Sequence, residues 1–492
     1  MIERIVSWSA KHRVFVIALF VLISGVGVWA IATTPLDAIP DLSENQVIVL
    51  TEYMGQSPQI VEDQVTFPLV TALQGLPGVK AVRATSMFGE SFVYVIFNDN
   101  IDLYWARSRV LEKLATITPT LPAAAKSSLG PDGTGVGQVY WYTVEGKGYD
   151  LGTLRAIQDW FVKLQLQSVE GVAEVASVGG YVREYQVNLD PRKMQLYGVR
   201  IDDVTRAVMQ SNNAVGGRIV EVNGRENFVR GQGYFASLND FRGVTVAAQN
   251  GVPIPLSNIA DITIGAGPRR GSLDKNGTGE VTGGIVVMRQ GENAKDVIDR
   301  VKARIAEISP GLPNGVTIQA AYDRSDLIEA SVATLEHTLI EEAIIVTLII
   351  LIFLFHLPSA LRIVIEIPIS VLIAFILMRM FGITSNIMSL GGIAIGIGVL
   401  VDGSIVLLEN AHRHLSEAQA LKERNGTEYD YRAIVIRSAQ QVARPIFFSL
   451  IIIIVSFLPV FLLTGQEGKL FHPLAFTKTF SLLASALVSI TL

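Results

Sequence analysis

The sequence predicts an α+β membrane protein, a transmembrane helix bundle that carries an outer region of small mixed units. Three observations point there. Half of the residues are hydrophobic while 17% are charged, which suits a chain with one part in a bilayer and another in water. Apolar runs of spanning length occur at 13–32 and, after a long polar stretch, at about 341–357, 360–381, 387–408, 445–463 and 474–492. The polar stretch repeats one order of strands and helices.

The first run, "RVFVIALFVLISGVGVWAIA", follows Arg4, Lys11 and Arg13. It is longer than a signal-peptide core and has no clear cleavage site, so it reads as a retained first helix. Arg413, Lys422, Arg424, Arg432, Arg437 and Arg444 crowd one connection, between the fourth and fifth spanning runs. Basic loops stay in the cytoplasm. An even number of crossings separates this loop from the basic N-terminus, so the polar stretch after helix 1 is outside the cytoplasm.

In that stretch "QVIVLTEY" (46–53) reads as a strand, and "SPQIVEDQVTFPLVTAL" as a helix capped by Ser57 with Pro58 in its first turn. "VKAVRATS" and "SFVYVIF" are strands around a turn at 88–90, and "DLYWARSRVLEKLATI" is a helix. The order β-α-β-β-α is a split βαβ (ferredoxin-like) unit. The plan returns with "QVYWYTV", "LGTLRAIQDWFVKLQLQ", "VAEVASV" and "EYQVNLD". The echo of "LQGLPGV" (73–79) in "LQSVEGV" (166–172) falls at the same place in each unit. Short strands and turns such as "VNGREN" and "AAQNGVP" interrupt the second unit, which "GEVTGGIVVMRQ", "NAKDVIDRVKARIAEI" and "GVTIQAAYD" complete. The expected organisation is therefore 1–33 for the N-terminus and first membrane helix, and 34–135 for the first outer subdomain. The second outer subdomain takes 136–182 with 273–335, the inserted subdomain 183–272, and membrane helices 2–6 lie in 336–492. The last run is still apolar at residue 492, as expected for the N-terminal part of a longer protein.

Several classes are excluded. The net charge is −5 without a basic tract, which argues against nucleic acid. Without cysteine there are no disulfides or thiolate metal sites. The six histidines are scattered, with no HxxxH spacing. No nucleophile–base pair, phosphate loop or dinucleotide fingerprint points to an enzyme or a cofactor.

The chemistry lies in the membrane runs. In "GVLVDGSIVLLEN" (398–410) Asp402 stands among apolar residues, and Glu409 follows seven positions later. Seven residues are nearly two helical turns, so both acids share a face, roughly 10 Å apart. A carboxylate in the bilayer is costly, usually faces a bundle interior, and serves ion or proton movement. Glu409 reads as an interfacial acid or as the inner mouth of a proton path. Glu366, in "RIVIEIPISVL" beside Pro368, reads as a further acid in proton movement or as one satisfied by a polar neighbour. The glycines of "GGIAIGIG" (391–398) allow close helix packing. Thioether sulfur selects soft Cu(I) or Ag(I). Met378, Met380 and Met388 lie toward the outer ends of helices 3 and 4. Methionine there is usually packing material.

"TPLDAIPDLS" (34–43), "SNIMSLGGIAIGIGVLVDGSIVLLENAH" (385–412) and "GQEGKLFHPLAFTKTF" (465–480) resemble the heavy-metal-efflux branch of the resistance–nodulation–cell division (RND) transporters. The resemblance runs the whole length and is strongest to the inner-membrane subunits of copper/silver export pumps, whose first half it matches. It implies a proton antiporter rather than an enzyme, in the bacterial inner membrane, with periplasmic outer subdomains. Asp402 would belong to its proton relay, whose partners, including a lysine, come from the second half. Met388 would pass a Cu(I) or Ag(I) ion along. Leu400 and "FSLLASAL" stand where those pumps carry further methionines. Divalent-metal pumps tend to have acids where this chain has Gln138 and Gly396, which argues against zinc, cobalt or cadmium. The implied partners are the metal ion, protons, a periplasmic adaptor and an outer-membrane channel, in a homotrimer that docks through 183–272. Proton-driven efflux of divalent metals or organic compounds, and a non-transporting receptor or scaffold of related fold, are the alternatives.

Overall fold

The structure, a computed structural model, describes residues 2–491 apart from 232, 270, 355–356 and 426–429. A short helix α1 (Ile2–Lys11) leads into α2 (Arg13–Thr33), the expected first span.

The first outer unit contains β1 (Gln46–Glu52), α3 (58–73), β2 (Val79–Met87), β3 (Glu90–Phe97), α4 (Leu103–Ile117) and β4 (Lys126–Leu129). Ser57 Oγ accepts from the Ile60 N–H, and Asp102 caps α4 by accepting from Trp105 N–H at 2.8 Å. Alternate residues of β1 are buried, as expected for a strand with one covered face. Val47, Val49, Val93, Val95 and Phe97 pack beneath Val65, Leu69 and Leu73 of α3 and Val110 and Leu114 of α4. The sheet order is β2-β3-β1-β4, with every neighbour antiparallel. The edge strand β4 has only four residues, and the sequence did not announce it.

The second unit has the same order. β5 (Gly133–Gly146), α5 (151–167), β6 (Val172–Gly179), β13 (Thr282–Arg289), α9 (Ala294–Ile308) and β14 (Val316–Asp323) form a sheet β14-β5-β13-β6. Both α3 and α5 contain a π-turn, at Glu62–Thr66 and Gln158–Val162, a second sign of a shared plan. One expectation changes. "EYQVNLD" is a strand, β7 (Arg183–Leu189), but it leaves the second unit and pairs with β12 (Ala260–Ala266). Gly179 and Gly180, both at positive φ, turn the chain out at the end of β6. The place beside β6 is taken by β13.

Between β7 and β12 lie α6 (Pro191–Tyr197), α7 (Ile201–Ser211), β8 (Val215–Val222), β9 (Arg225–Gly231), α8 (Leu238–Arg242), β10 (Thr245–Gln249) and β11 (Val252–Pro255). Asn223-Gly224 and Asn250-Gly251 have positive φ at both positions, the two-residue hairpin turn that twisted strands favour. Every residue of the β8–β9 hairpin is exposed.

The remaining helices are α10 (Arg324–Leu354), α11 (Leu357–Phe381), α12 (Ile387–Asn425), α13 (Tyr431–Ser456) and α14 (Gly465–Thr491). Among the described residues five helices are long and apolar enough to cross a membrane, namely α2 and stretches of α11 to α14. The apolar run predicted from 341 falls in α10, which continues outward into the second outer unit as expected. The N-terminus docks on the basic end of α13. Arg432 donates to Ala10 O at 2.7 Å and Gln440 to Glu3 O at 3.1 Å. That contact agrees with one membrane face for both.

Candidate functional site

The helix that carries most of the predicted site, α12, begins at a tight cap. Asn386 Oδ1 accepts from the N–H groups of Met388 and Ser389, both at 3.0 Å, and Ser389 Oγ donates to Thr384 O at 2.8 Å. On one side α12 presses against α14. A Cβ on Gly392 would meet Thr477 Oγ1 and the Leu474 carbonyl, and one on Gly396 would come within 2.7 Å of Ser481 Oγ. These two glycines are architecture, as the sequence suggests.

The other side of α12 faces outward. Ile395, Asp402, Val406 and Glu409 are exposed there, and Met388 is half-buried. Residues 388, 395, 402 and 409 recur every seven positions, and a step of seven turns a helix through nearly whole turns. Met388, Asp402 and Glu409 therefore form one stripe. The carboxylates share a face as predicted. Asp402 is not, however, inside the bundle formed by these residues. Hydropathy marks the run as buried in lipid or protein but does not say which side of it a neighbour covers.

The interior acid is Glu366. It is 2% exposed, accepts a hydrogen bond from Ser485 Oγ of α14 at 3.3 Å, and accepts another from Ser404 Oγ of α12. Met378 is fully buried among Ala30, Phe375, Leu390, Ile393 and Phe480, so it packs, whereas Met380 is exposed. The side chain of Leu400 lies outside the described ones. Sequence reading missed Lys478, which is buried on α14 with its ammonium 3.5 Å from the centre of the Phe457 ring. A lysine inside an apolar run was the available signal.

Above the helices the three motif segments converge. Asp37 N–H donates to Ser385 O at 3.0 Å, Ser385 N–H to Pro35 O at 2.9 Å, and Ile387 N–H to Ala38 O at 3.2 Å. Lys469 donates to Ser43 O at 2.7 Å and pairs with Asp99 at 2.8 Å. Between them opens a cleft of about 640 Å³ lined by Asp37, Asp41, Asp99, Asp102, Asn386 and Met288, among others. Arg324, the first residue of α10, holds Asp37 at 2.9 Å. Burial pushes the Asp37 carboxyl above the usual carboxylate range, although the Arg324 charge pulls the other way.

Residues 5–492 match the model of the AcrB/AcrD/AcrF family. The chain belongs to this RND family. It is 47% identical, over its whole length, to the cation efflux system protein CusA of Escherichia coli K12, and covers 47% of that protein. It is 46% identical to the putative cation efflux system protein SilA of Salmonella typhimurium, with the same coverage. Identity to the cobalt-zinc-cadmium resistance protein CzcA of Cupriavidus metallidurans is 36%, again with all of this chain and 47% of the relative covered. A crystal structure of a heavy metal efflux pump superposes with a TM-score of 0.86 at 32% identity, over 99% of this chain and 48% of that one. The chain thus spans about half the length of the curated relatives it matches. RND heavy-metal pumps are secondary transporters, not enzymes, and multi-pass inner-membrane proteins. The membrane-capable helices of this chain fit that setting.

Proposed function

We propose that the chain works as the first half of the inner-membrane pump of a proton-driven heavy-metal exporter for Cu(I) and Ag(I). The observation that carries this reading is the outward stripe of α12. It sets a thioether, Met388, about 20 Å of helix from a membrane carboxylate, Asp402, with Glu409 beyond it toward the cytoplasm. An acid on the outward side of a spanning helix calls for a partner there, since lipid would leave it unsolvated. The partner surface is the second half of the pump, and Asp402 takes and releases the transported proton against it.

Met388 binds a soft monovalent ion weakly and without the desolvation cost of a carboxylate. The cleft at the outer ends of the helices admits that ion from the periplasm. At position 396, where divalent-metal pumps tend to carry an acid, this chain has Gly396, packed against Ser481 of α14. The outer sheets act as split-βαβ (ferredoxin-like) pore subdomains at 34–135 and at 136–182 with 273–335. The insertion, 183–272, meets an outer-membrane channel in a homotrimer, and the pore subdomains meet a periplasmic adaptor. Its wholly exposed β8–β9 hairpin suits such docking.

Silver and copper resistance of a sensitive host tests the reading. With Asp402→Asn in the complete pump, resistance should fall to that of the empty host while the protein still inserts. Normal resistance, or resistance gained to zinc instead, overturns it.

A further inference from the structure

Two acids lie at one depth of the bundle, on opposite sides of α12. Asp402 and Ser404 are two residues apart, a rise of about 3 Å and a rotation of about 200°. Asp402 looks outward, and Ser404 looks inward to Glu366. The Glu366 carboxyl is held by hydroxyls from two other helices, Ser404 of α12 and Ser485 of α14. Both are fully or almost fully buried. Around it α14 supplies a column of buried hydroxyls at Thr477, Ser481, Ser485 and Ser489.

We propose that Glu366 is a second proton-binding carboxyl of the membrane domain, and that its proton sets how α12 is tied to α11 and α14. This deepens the reading of the chain as proton-driven but does not depend on which metal is moved. The chemistry follows from the donors and acceptors among the described residues. Ionised, the carboxylate accepts both serine hydroxyls, a charge-assisted arrangement that draws the three helices together. Protonated, it carries an O–H that must itself find an acceptor.

Two acceptors lie one turn or less away on α11. Ser370 is fully buried on the same side of the helix, and its hydroxyl has no partner among the described residues. Pro368 lacks an N–H, so the Val364 carbonyl is released from its helical bond. Taking the proton therefore turns one Glu366 oxygen from acceptor to donor and slackens one of its ties to Ser404 or Ser485. Movement of α12 would present Asp402 differently to its partner surface, which links the two acids mechanically.

Along α11 the charged residue nearest to Glu366 is Arg362, one turn before it. On α14 the nearest along the helix is Lys478, seven residues outward of Ser485 and turned onto the Phe457 ring. On α12 it is Asp402, on the far side. Arg379 lies near the outer end of α11, Arg13 begins α2, and the acids Glu336, Glu341 and Glu342 of α10 precede its apolar run. On α13 Arg444 lies over Phe448.

Infrared difference spectroscopy of the complete pump in nanodiscs, titrated from about pH 4 to about pH 9 to span the range of a perturbed carboxyl, tests the proposal. The parent minus Glu366→Gln should show one C=O band of a protonated, water-poor carboxyl that disappears as the pH rises. The same band should persist in Asp402→Asn, so that failure of the Asp402 relay leaves it in place. Ser404→Ala or Ser485→Ala should each move its midpoint by about one pH unit, the worth of one hydrogen bond to a charged group. These two variants decide the matter even where Glu366→Gln does not fold. Absence of the band at every pH marks Glu366 as a permanently ionised strut. A band that does not change with pH, or a midpoint unmoved by both serine variants, equally overturns the proposal.

Discussion

Replacing Arg324 by Met should loosen the joint between the outer units and the membrane helices. Arg324 follows directly on β14, opens α10, donates to the Val136 carbonyl of β5 and pairs with Asp37 just beyond α2. Its side chain is 5% exposed and that of Asp37 is 17% exposed, so the pair is largely out of water. Removing one member of such a pair costs about 3 kcal/mol, because the other charge stays buried. At 1.36 kcal/mol per decade, that is roughly a hundredfold rise in the local opening constant.

The effect depends on pH in a definite sense. The Asp37 carboxyl is already raised, first by burial. Without the guanidinium it rises further. An acid raised in the folded state gives its full stability below its unfolded value of about 4 and loses it as the pH climbs through the folded value. The defect should therefore be largest near pH 8 and shrink toward pH 5, within the range that burial can reach. Amide exchange read by mass spectrometry over 34–38 and 324–330 measures it directly. Asp37→Asn added to Arg324→Met should recover most of the protection. Equal exchange in parent and Arg324→Met, or a defect that does not vary with pH, would refute the reasoning.

Three further outcomes follow from named contacts. Gly392→Leu should push α12 from α14, costing about 1–3 kcal/mol and lowering the thermal midpoint. Gly391→Leu, where a Cβ meets nothing within 4 Å, serves as the control, and equal midpoints would remove the packing role of Gly392. Met388→Ile should lower silver or copper resistance near the limiting concentration, whereas unchanged resistance returns Met388 to packing. Burial alone would raise the Asp323 carboxyl, but hydrogen bonds from Lys302 and Ser325 outweigh it and hold the group below its ordinary range. Its stability is present above the unfolded value of about 4 and is lost as the pH falls through the lower folded one. Protection in α9 and β14, taken relative to the intrinsic exchange rate at each pH, should fall on acidification in the parent and show a flatter pH dependence in Lys302→Met.

What could be read from the sequence was local. The first span, the Ser57 cap, the Asn-Gly hairpin turns and the glycine face of α12 each depend on residues within a turn or two of one another. The shared acidic face of Asp402 and Glu409 is likewise a matter of helical pitch. What escaped depends on partners far along the chain. β4 is four residues long and is defined by its pairing with β1. β7 has the pattern of a strand in either sheet, and the glycine turn before it decides which one it joins. Asp402 and Glu366 sit in equally apolar runs, yet one faces out and the other in. The difference is set by α14, whose Ser485 lies 119 residues from Glu366. The acidic cleft was invisible for the same reason, since its wall is assembled from three distant motifs.

The central claim is that Asp402 couples proton movement to the passage of a soft metal ion. The direct measurement uses the complete pump in sealed vesicles with a pH-sensitive dye in the lumen. Ag(I) or Cu(I) is supplied on the periplasmic face, and the parent is compared with Asp402→Asn. The account predicts a luminal pH change that depends on Ag(I) or Cu(I), is absent with Zn(II), and vanishes in Asp402→Asn while the protein stays folded and inserted. An equal pH change in Asp402→Asn, or one driven by Zn(II) and not by Ag(I) or Cu(I), would contradict it.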